Sequence, residues 1–121
     1  HNDGTPTRNW LHAQDTANAI ITIIESGTQN EIYNIAGDFE QQNITTIKKI
    51  IKEYHGYSDV SSYIDNTYSR KYLDFSIQRP GQDIRYALDD SKLRKLGWLP
   101  EKKFDRELPD IIRYYKNKFI W

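Results

Sequence analysis

The sequence contains no cysteine and no methionine among its 121 residues. The lack of cysteine excludes disulfide bridges, thiolate zinc sites and a cysteine nucleophile, and it favours an intracellular, cytoplasmic protein. The lack of methionine, together with a first residue of His1, leads us to expect a fragment or a processed form. The length is enough for one domain or for a piece of one.

Neither sign of charge is in excess, because 17 Lys and Arg residues balance 17 Asp and Glu residues. No net field therefore draws the chain toward nucleic acid or an anionic membrane. No apolar run approaches the roughly 20 residues of a membrane-spanning helix. We expect neither partner, and any recognition of anions must be local.

Several chemical motifs are also missing. The six glycines form neither a dinucleotide-binding fingerprint nor a GxxxxGK[ST] loop, and no serine lies in GxSxG. The three histidines lack the spacing of a metal site. Tyr68 and Lys71 are three residues apart, one short of the Tyr-x-x-x-Lys pair of short-chain dehydrogenases. The sequence thus predicts no cofactor loop, metal site or catalytic residue in this chain.

What is present is an alternation of strand and helix patterns, which predicts an α/β fold. A first strand is predicted at 7–12, followed by a helix that Asp15 or Thr16 caps and Gly27 ends. The apolar residues of that helix recur at helical spacing: Ala17, Ile20, Ile21 and Ile24. The β-rich run at 31–36 predicts a second strand. Two or three short strands make a poor sheet, so we expect the rest of it elsewhere.

The second half of the chain predicts mainly helices. Asn43 is placed as the N-cap of a helix that stops near Gly56. Residues 57–76 predict a loop with one short strand at 61–64, and 85–88 predict an extended segment.

Two further helices are predicted near the carboxyl end. Asp89 or Asp90 is expected to cap a short helix closed by Gly97. A last amphipathic helix follows, with Pro109 in its first turn.

Three features could hold an anion. Arg79 lies beside Pro80 and Gly81, where proline stiffens a turn, glycine lets a ligand approach the backbone, and arginine can fork onto a phosphate. Arg8 on the first strand and Asn43 at a helix start are similar candidates. Each has a plain alternative: a solvated arginine in a surface turn, a guanidinium stacked on an aromatic ring, and an ordinary helix cap.

Taken in order, several blocks resemble the carboxy-terminal portion of the dTDP-glucose 4,6-dehydratase family, which belongs to the extended short-chain dehydrogenases and the epimerase/dehydratase class. The blocks span nearly the whole chain: residues 8–12, Asp15, Ala17, 19–20, 33–37, Asn43, 79–83, 85–89, 92–93 and 96–98. The block at 79–89 and the Leu-Gly-Trp at 96–98 are fairly specific to 4,6-dehydratases. The other blocks are shared with epimerases and decarboxylases.

The resemblance implies a fold and a role. It implies one carboxy-terminal substrate-binding region over 1–121, in which 1–37 supply edge strands of a Rossmann-like NAD-binding sheet and 38–121 form the substrate lobe. The residues that it matches to the diphosphate end of the substrate are Arg8, Asn43, Gln78, Arg79, Pro80, Gly81 and Gln82. It further implies a homodimeric parent enzyme acting on dTDP-glucose, with NAD and all catalytic residues held by an amino-terminal part.

The chain departs from the family pattern at the turn. The family commonly has Asp, His and a further Arg where this chain has Gln78, Gln82 and Ile84, which lowers the local charge. Two alternatives therefore stay open: an epimerase or decarboxylase of the same class, and a non-catalytic module that binds nucleotide diphosphates.

Overall fold

The computed structural model describes residues 2–56 and 73–118. A single 3-10 turn at Asn2–Gly4 comes first. The regular elements then follow in this order: β1 (Thr7–Asn9), α1 (Ala13–Ser26), β2 (Glu40–Gln42), α2 (Asn43–His55), α3 (Ser91–Arg94) and α4 (Phe104–Lys116). The predicted strand at 61–64 lies outside the described residues. Within 2–56 and 73–118, none of the helices is long and apolar enough to cross a membrane.

A small sheet is centred on β1. Strands β1 and β2 pair antiparallel, with Arg8 opposite Gln41. At the other edge of β1, the Thr7 amide donates to the Ile84 carbonyl (2.8 Å), and Thr7 forms a parallel bridge with Arg85. The extended segment predicted at 85–88 is thus confirmed at Arg85, and β1 lies between it and β2.

The strand predicted at 31–36 is wrong for this structure, because the segment forms no β-strand. It pairs with neither β1 nor β2, and side-chain hydrogen bonds connect this part of the chain to other segments. Asn34 donates to the Asp89 carbonyl (3.0 Å), and the Asn9 amide group exchanges two hydrogen bonds with the Gly37 backbone, each 2.7 Å.

Helix α1 begins earlier than predicted, and the first strand is correspondingly shorter. His12 is the N-cap, and its Nδ1 accepts a hydrogen bond from the Gln14 amide (3.0 Å). The prediction of Asp15 or Thr16 as the cap is therefore wrong. Asp15 is buried in the first turn, where its carboxylate accepts from the Lys102 amide (2.9 Å).

Helix α2 also starts one residue before expectation. Gln42 is the N-cap, so Asn43 is the first helical residue and the prediction of an Asn43 cap is wrong. The pairing of β2 with β1 sets this start, since the Asn43 amide donates to the Pro6 carbonyl (3.1 Å). The predicted stop is confirmed: Gly56 has a φ of 72°, a left-handed conformation that glycine adopts without strain.

The last two helices confirm one prediction and correct another. Asp90 occupies the N-cap position of α3, and the Asp89 carboxylate accepts from the Ser91 amide (2.8 Å). Pro109 lies inside α4, beyond the first turn, because the helix already starts at Phe104 and the Lys103 carbonyl accepts its first hydrogen bonds.

The main hydrophobic core joins α1 to α3 and the turn after it. Ala19, Leu93 and Trp98 are buried together. Five partly buried side chains pack around them: Leu11, Ile23, Tyr33, Ile35 and Leu96.

The inner stripe of α1 is thus Ala19 and Ile23, and the apolar stripe given by helical spacing does not face this core. Its members are exposed, with Ile24 at 78%. Helical spacing identified an apolar stripe correctly but could not show which neighbour covers it.

Candidate functional site

Arg8 lies at the centre of the predicted anion site. It is held in place on β1 by three backbone carbonyls, because its guanidinium donates to Thr7 (2.7 Å), Asp83 (3.1 Å) and, more weakly, Ile84 (3.5 Å). The guanidinium carbon also lies 4.5 Å from the centroid of the Tyr86 ring. These contacts hold a planar, permanently charged group in place and leave some of its five N–H donors unused.

The amino end of α2 lies on one side of Arg8. The Asn43 amide bonds to Pro6, two residues before Arg8, and Gln42 makes no side-chain cap hydrogen bond to the first turn. Helix α2 runs for 13 residues, so the aligned peptide dipoles give its amino end a partial positive charge. Asn43 lies at this amino end as the first helical residue and not as the predicted N-cap.

The Gln78 to Gln82 turn lies on the other side. The Gln82 amide donates to the Arg79 carbonyl (3.3 Å), which closes the turn. Gly81 has a φ of 72°, and a Cβ added there would meet nothing within 4 Å. Glycine is therefore favoured at this position by backbone conformation, and the open space beside it leaves room for a ligand.

A cavity of about 320 Å³ opens between this turn and the residues that precede β1. Its lining is Asp3, Thr5, Pro6, Gln78, Gln82 and Ile84. Within the described ranges, the Gln82 Oε1 atom is buried without a hydrogen-bond partner. A buried polar atom of this kind normally finds a partner, so a bound molecule with a donor group would satisfy it.

Electrostatics connect Arg79 with Arg8. A hydrogen bond to the Asp83 carboxylate raises the pKa of Tyr86, and the positive charges of Arg8 and Arg79 act in the opposite direction. Both arginines therefore lie close enough to the same ring to influence it. Asn43, in contrast, is linked to this region through the hydrogen bond from its amide to the Pro6 carbonyl. Of the predicted site residues, Gln78 and Gln82 line the cavity, whereas Arg8, Asn43 and Arg79 do not.

Three residues shape the site although the sequence did not predict a role for them: Glu40, Arg85 and Tyr86. Tyr86 stacks on Arg8, and Arg85 forms a two-pronged ion pair with Glu40 at the start of β2. In the sequence, Arg85 and Tyr86 belong to the 85–89 block of the family resemblance, which gives neither of them a role in the site. No signal in the sequence links Glu40 to Arg85, because β2 was not predicted.

A second cavity, of about 470 Å³, lies between α2 and α4 and is mostly apolar. Ile50, Phe104, Leu108 and Ile112 are among its lining residues. None of the predicted anion-binding residues lines it. The two cavities are therefore chemically different, and only the one beside Gln82 belongs to the candidate site.

Comparison with known proteins identifies the relatives of this arrangement. The family model for GDP-mannose 4,6 dehydratase matches residues 2–111. A dTDP-glucose 4,6-dehydratase from Escherichia coli is 32% identical over 123 aligned residues, which cover 100% of this chain and 33% of the relative. The human dTDP-D-glucose 4,6-dehydratase is 31% identical and covers 98% of this chain, with 32% of its own length matched.

Solved structures of the same enzyme have the same fold over this segment. The dTDP-glucose 4,6-dehydratase of Bacillus anthracis, in complex with NAD, superimposes with a TM-score of 0.74 at 26% identity. That of Streptomyces venezuelae, with NAD and dTDP bound, gives 0.71 at 29% identity. Each match covers 96% of this chain and 33% of the solved chain.

The chain therefore spans about a third of the length of the relatives it matches. Its mixed helix and strand fold is the corresponding third of their NAD-binding enzyme fold, as the resemblance in the sequence implied. The family-model match runs through all the described elements except the end of α4. On this evidence, the chain belongs to the GDP-mannose 4,6 dehydratase family.

Proposed function

We propose that this chain provides the nucleotide-diphosphate grip of an NAD-dependent dTDP-glucose 4,6-dehydratase. The observation that carries the proposal is the convergence of Arg8, the amino end of α2 and the Gln78 to Gln82 turn around β1. Arginine side chains and a helix amino end are the groups that bind phosphate oxygens best in proteins. The names of the relatives supply the substrate, dTDP-glucose.

Each part of the turn has a role in this proposal. Arg79 supplies a second guanidinium, Pro80 restricts the turn, and Gly81 keeps the space beside it open. Gln78 and Gln82 place amide groups at the cavity wall, where they suit hydroxyl or N–H groups of a nucleoside. The local charge comes from Arg8 and Arg79, because Gln78, Gln82 and Ile84 replace the family's charged turn residues.

The glycines of this chain do not fit an NAD site. Gly4 packs against Ile44, Gly56 ends α2, and Gly81 belongs to the substrate turn. We therefore assign NAD to the portion of the protein outside this chain. When bound, NAD accepts a hydride from the sugar and later returns it.

The proposed reaction oxidises the sugar at C4, removes water across C5 and C6, and reduces C6. The C4 alcohol of the sugar loses a hydride and a proton to become a ketone, and water leaves from C5 and C6. The hydride then adds to C6 and a proton adds to C5. This chain contributes binding energy and orientation to that sequence, while the acid and base groups lie in the rest of the protein.

We infer the remaining features from the same resemblance. Residues 1–37 would join the NAD-binding sheet and 38–121 would form the substrate lobe of a cytoplasmic homodimer. The 31–36 segment, which pairs with neither β1 nor β2, and the exposed stripe of α1 support the first part of this assignment.

The full-length protein, incubated with dTDP-glucose and NAD, should yield dTDP-4-keto-6-deoxyglucose. Arg8→Ala and Arg79→Ala should each raise the KM about tenfold or more, since a charged group on a phosphate is lost. Arg113→Ala is the matched control, because Arg113 lies on α4 and pairs with Asp110. Unchanged KM values in both site variants would remove the basis for the proposal.

A further inference from the structure

Glu40 and Arg85 form an ion pair of unusual position. The Arg85 Nε donates to both carboxylate oxygens of Glu40 (3.1 and 3.0 Å), and its Nη2 donates to Oε2 (2.6 Å). A guanidinium fork on a carboxylate fixes distance and plane together, which a lysine cannot do. The same hydrogen bond is the main cause that raises the pKa of Arg85.

The pair crosses the small sheet. The Arg85 backbone bridges to Thr7 at one edge of β1, whereas Glu40 lies on β2 opposite Asn9 at the other edge. The Arg85 side chain therefore reaches over β1 to join the two segments that flank it. No backbone hydrogen bond can make this connection, because β1 occupies the space between them.

Each end of the pair is adjacent in sequence to an arm of the candidate site. Glu40 comes three residues before Asn43, at the amino end of α2. Arg85 comes three residues after Gln82, the last residue of the turn, and next to Ile84 and Tyr86, both of which contact Arg8. One ion pair thus ties both outer arms to each other across the central arginine.

We propose that the Glu40 and Arg85 ion pair is a positioning clamp, which sets the spacing between the amino end of α2 and the Gln78 to Gln82 turn so that both reach one diphosphate. This inference rests on the proposed function of the site. Neither residue contacts the ligand in this proposal. They act through Asn43, Arg8 and Arg79.

The exposure of the pair separates this role from a purely stabilising one. The side chains of Arg85 and Glu40 are 59% and 28% exposed, so solvent screens their attraction and the pair adds little to folding stability. A small shift of binding groups, in contrast, is costly for a ligand that needs all of them at once. The clamp should therefore be visible in affinity more than in unfolding.

The test uses the full-length protein with Glu40→Gln, Arg85→Gln and the charge-swapped double variant Glu40→Arg/Arg85→Glu. The dTDP Kd and the KM for dTDP-glucose should rise about three- to tenfold in each single variant, with kcat changed less than about twofold, and the swap should restore much of the loss. Asp110→Asn and Arg113→Gln are the controls, since they remove an equally close but more exposed ion pair on α4. The controls should bind as wild type.

A double-mutant cycle shows whether the clamp acts through the grip. In an Arg79→Ala background, Glu40→Gln should lose part of its effect on Kd, because one of the residues that it positions is already missing. Full additivity, single variants that bind as well as wild type, or a fall in kcat at constant KM would each overturn the proposal. If Glu40→Gln fails to fold, Glu40→Asp, which withdraws the carboxylate by one methylene, takes its place.

The two proposals fail in different ways. A folded wild-type protein that binds no dTDP would refute the proposed function, and the clamp with it. A wild-type protein that binds dTDP while the single variants bind equally well would refute the clamp alone.

Discussion

The core around Leu93 and the site around Arg8 are stabilised by different forces. Leu93 and Ala19 are fully buried, and the contacts that hold them are apolar. Arg8, Arg85 and Tyr86 are held by hydrogen bonds, an ion pair and ring stacking at a surface where water competes. Burial fixes the fold, while directional polar contacts fix the geometry of the site. Substitutions should therefore separate stability from binding.

The largest expected effect is in the core. Leu93→Ala removes three carbon atoms from a side chain with no exposed surface and should lower the free energy of unfolding by about 3 kcal/mol. Chemical denaturation of the full-length protein measures the change. The matched control is Leu99→Ala, since Leu99 is 59% exposed and should cost far less. Equal losses in the two variants would contradict the assignment of the core.

The next largest loss of stability is expected at Asp15, a buried polar residue beside the apolar core. The Asp15 carboxylate accepts from the Lys102 amide, and the Asp15 carbonyl accepts from Trp98 Nε1 (3.1 Å). Asp15→Ala leaves the Lys102 amide without its partner and should cost about 2 kcal/mol. Asp15→Asn keeps an acceptor and should cost less. If the alanine variant unfolds at the wild-type denaturant midpoint, this hydrogen bond contributes no stability.

A smaller loss is expected at the start of α1. His12→Ala removes the side-chain acceptor of the Gln14 amide and should cost about 1 kcal/mol, whereas His12→Asn or His12→Ser should retain most of the stability. Thermal unfolding of the three variants compares them directly. A loss as large for serine as for alanine would show that the histidine ring packs, rather than caps.

The smallest change in stability belongs to the site. Arg8→Ala should alter the free energy of unfolding by about 0.5 kcal/mol while weakening dTDP binding about tenfold or more. Unfolding and calorimetric titration on the same protein give both numbers. Should Arg8→Ala unfold the protein as readily as Leu93→Ala, the distinction between core and site would be lost.

Sequence reasoning succeeded where one residue has a strong local preference. Gly56 ends α2 because the position needs a positive φ, and Asp90 begins α3. It failed at His12, since histidine is not among the usual N-cap residues, and at Pro109, because α4 starts at Phe104, more than a turn before the proline.

Failures of another kind came from contacts between distant residues. Helix α1 has one apolar stripe that is buried and another that is exposed. Hydrophobic spacing finds such stripes but does not show which of them packs against a neighbouring element. The Glu40 and Arg85 pair depends on residues 45 apart, brought together by a strand too short to leave a pattern. The predicted anion-binding residues are far apart in sequence, and only the fold shows that the segments carrying them lie on β1 or flank it.

The exposed stripe of α1 has a practical consequence for any preparation of these 121 residues alone. Ile20, Ile21 and Ile24 present neighbouring apolar side chains to water, and patches of this kind promote self-association. Ile24→Lys, at the most exposed of the three, should reduce concentration-dependent light scattering without touching the core. Ile24→Lys in the full-length protein tests whether this face is covered there. A large fall in the free energy of unfolding would mean that another part of the protein packs against it.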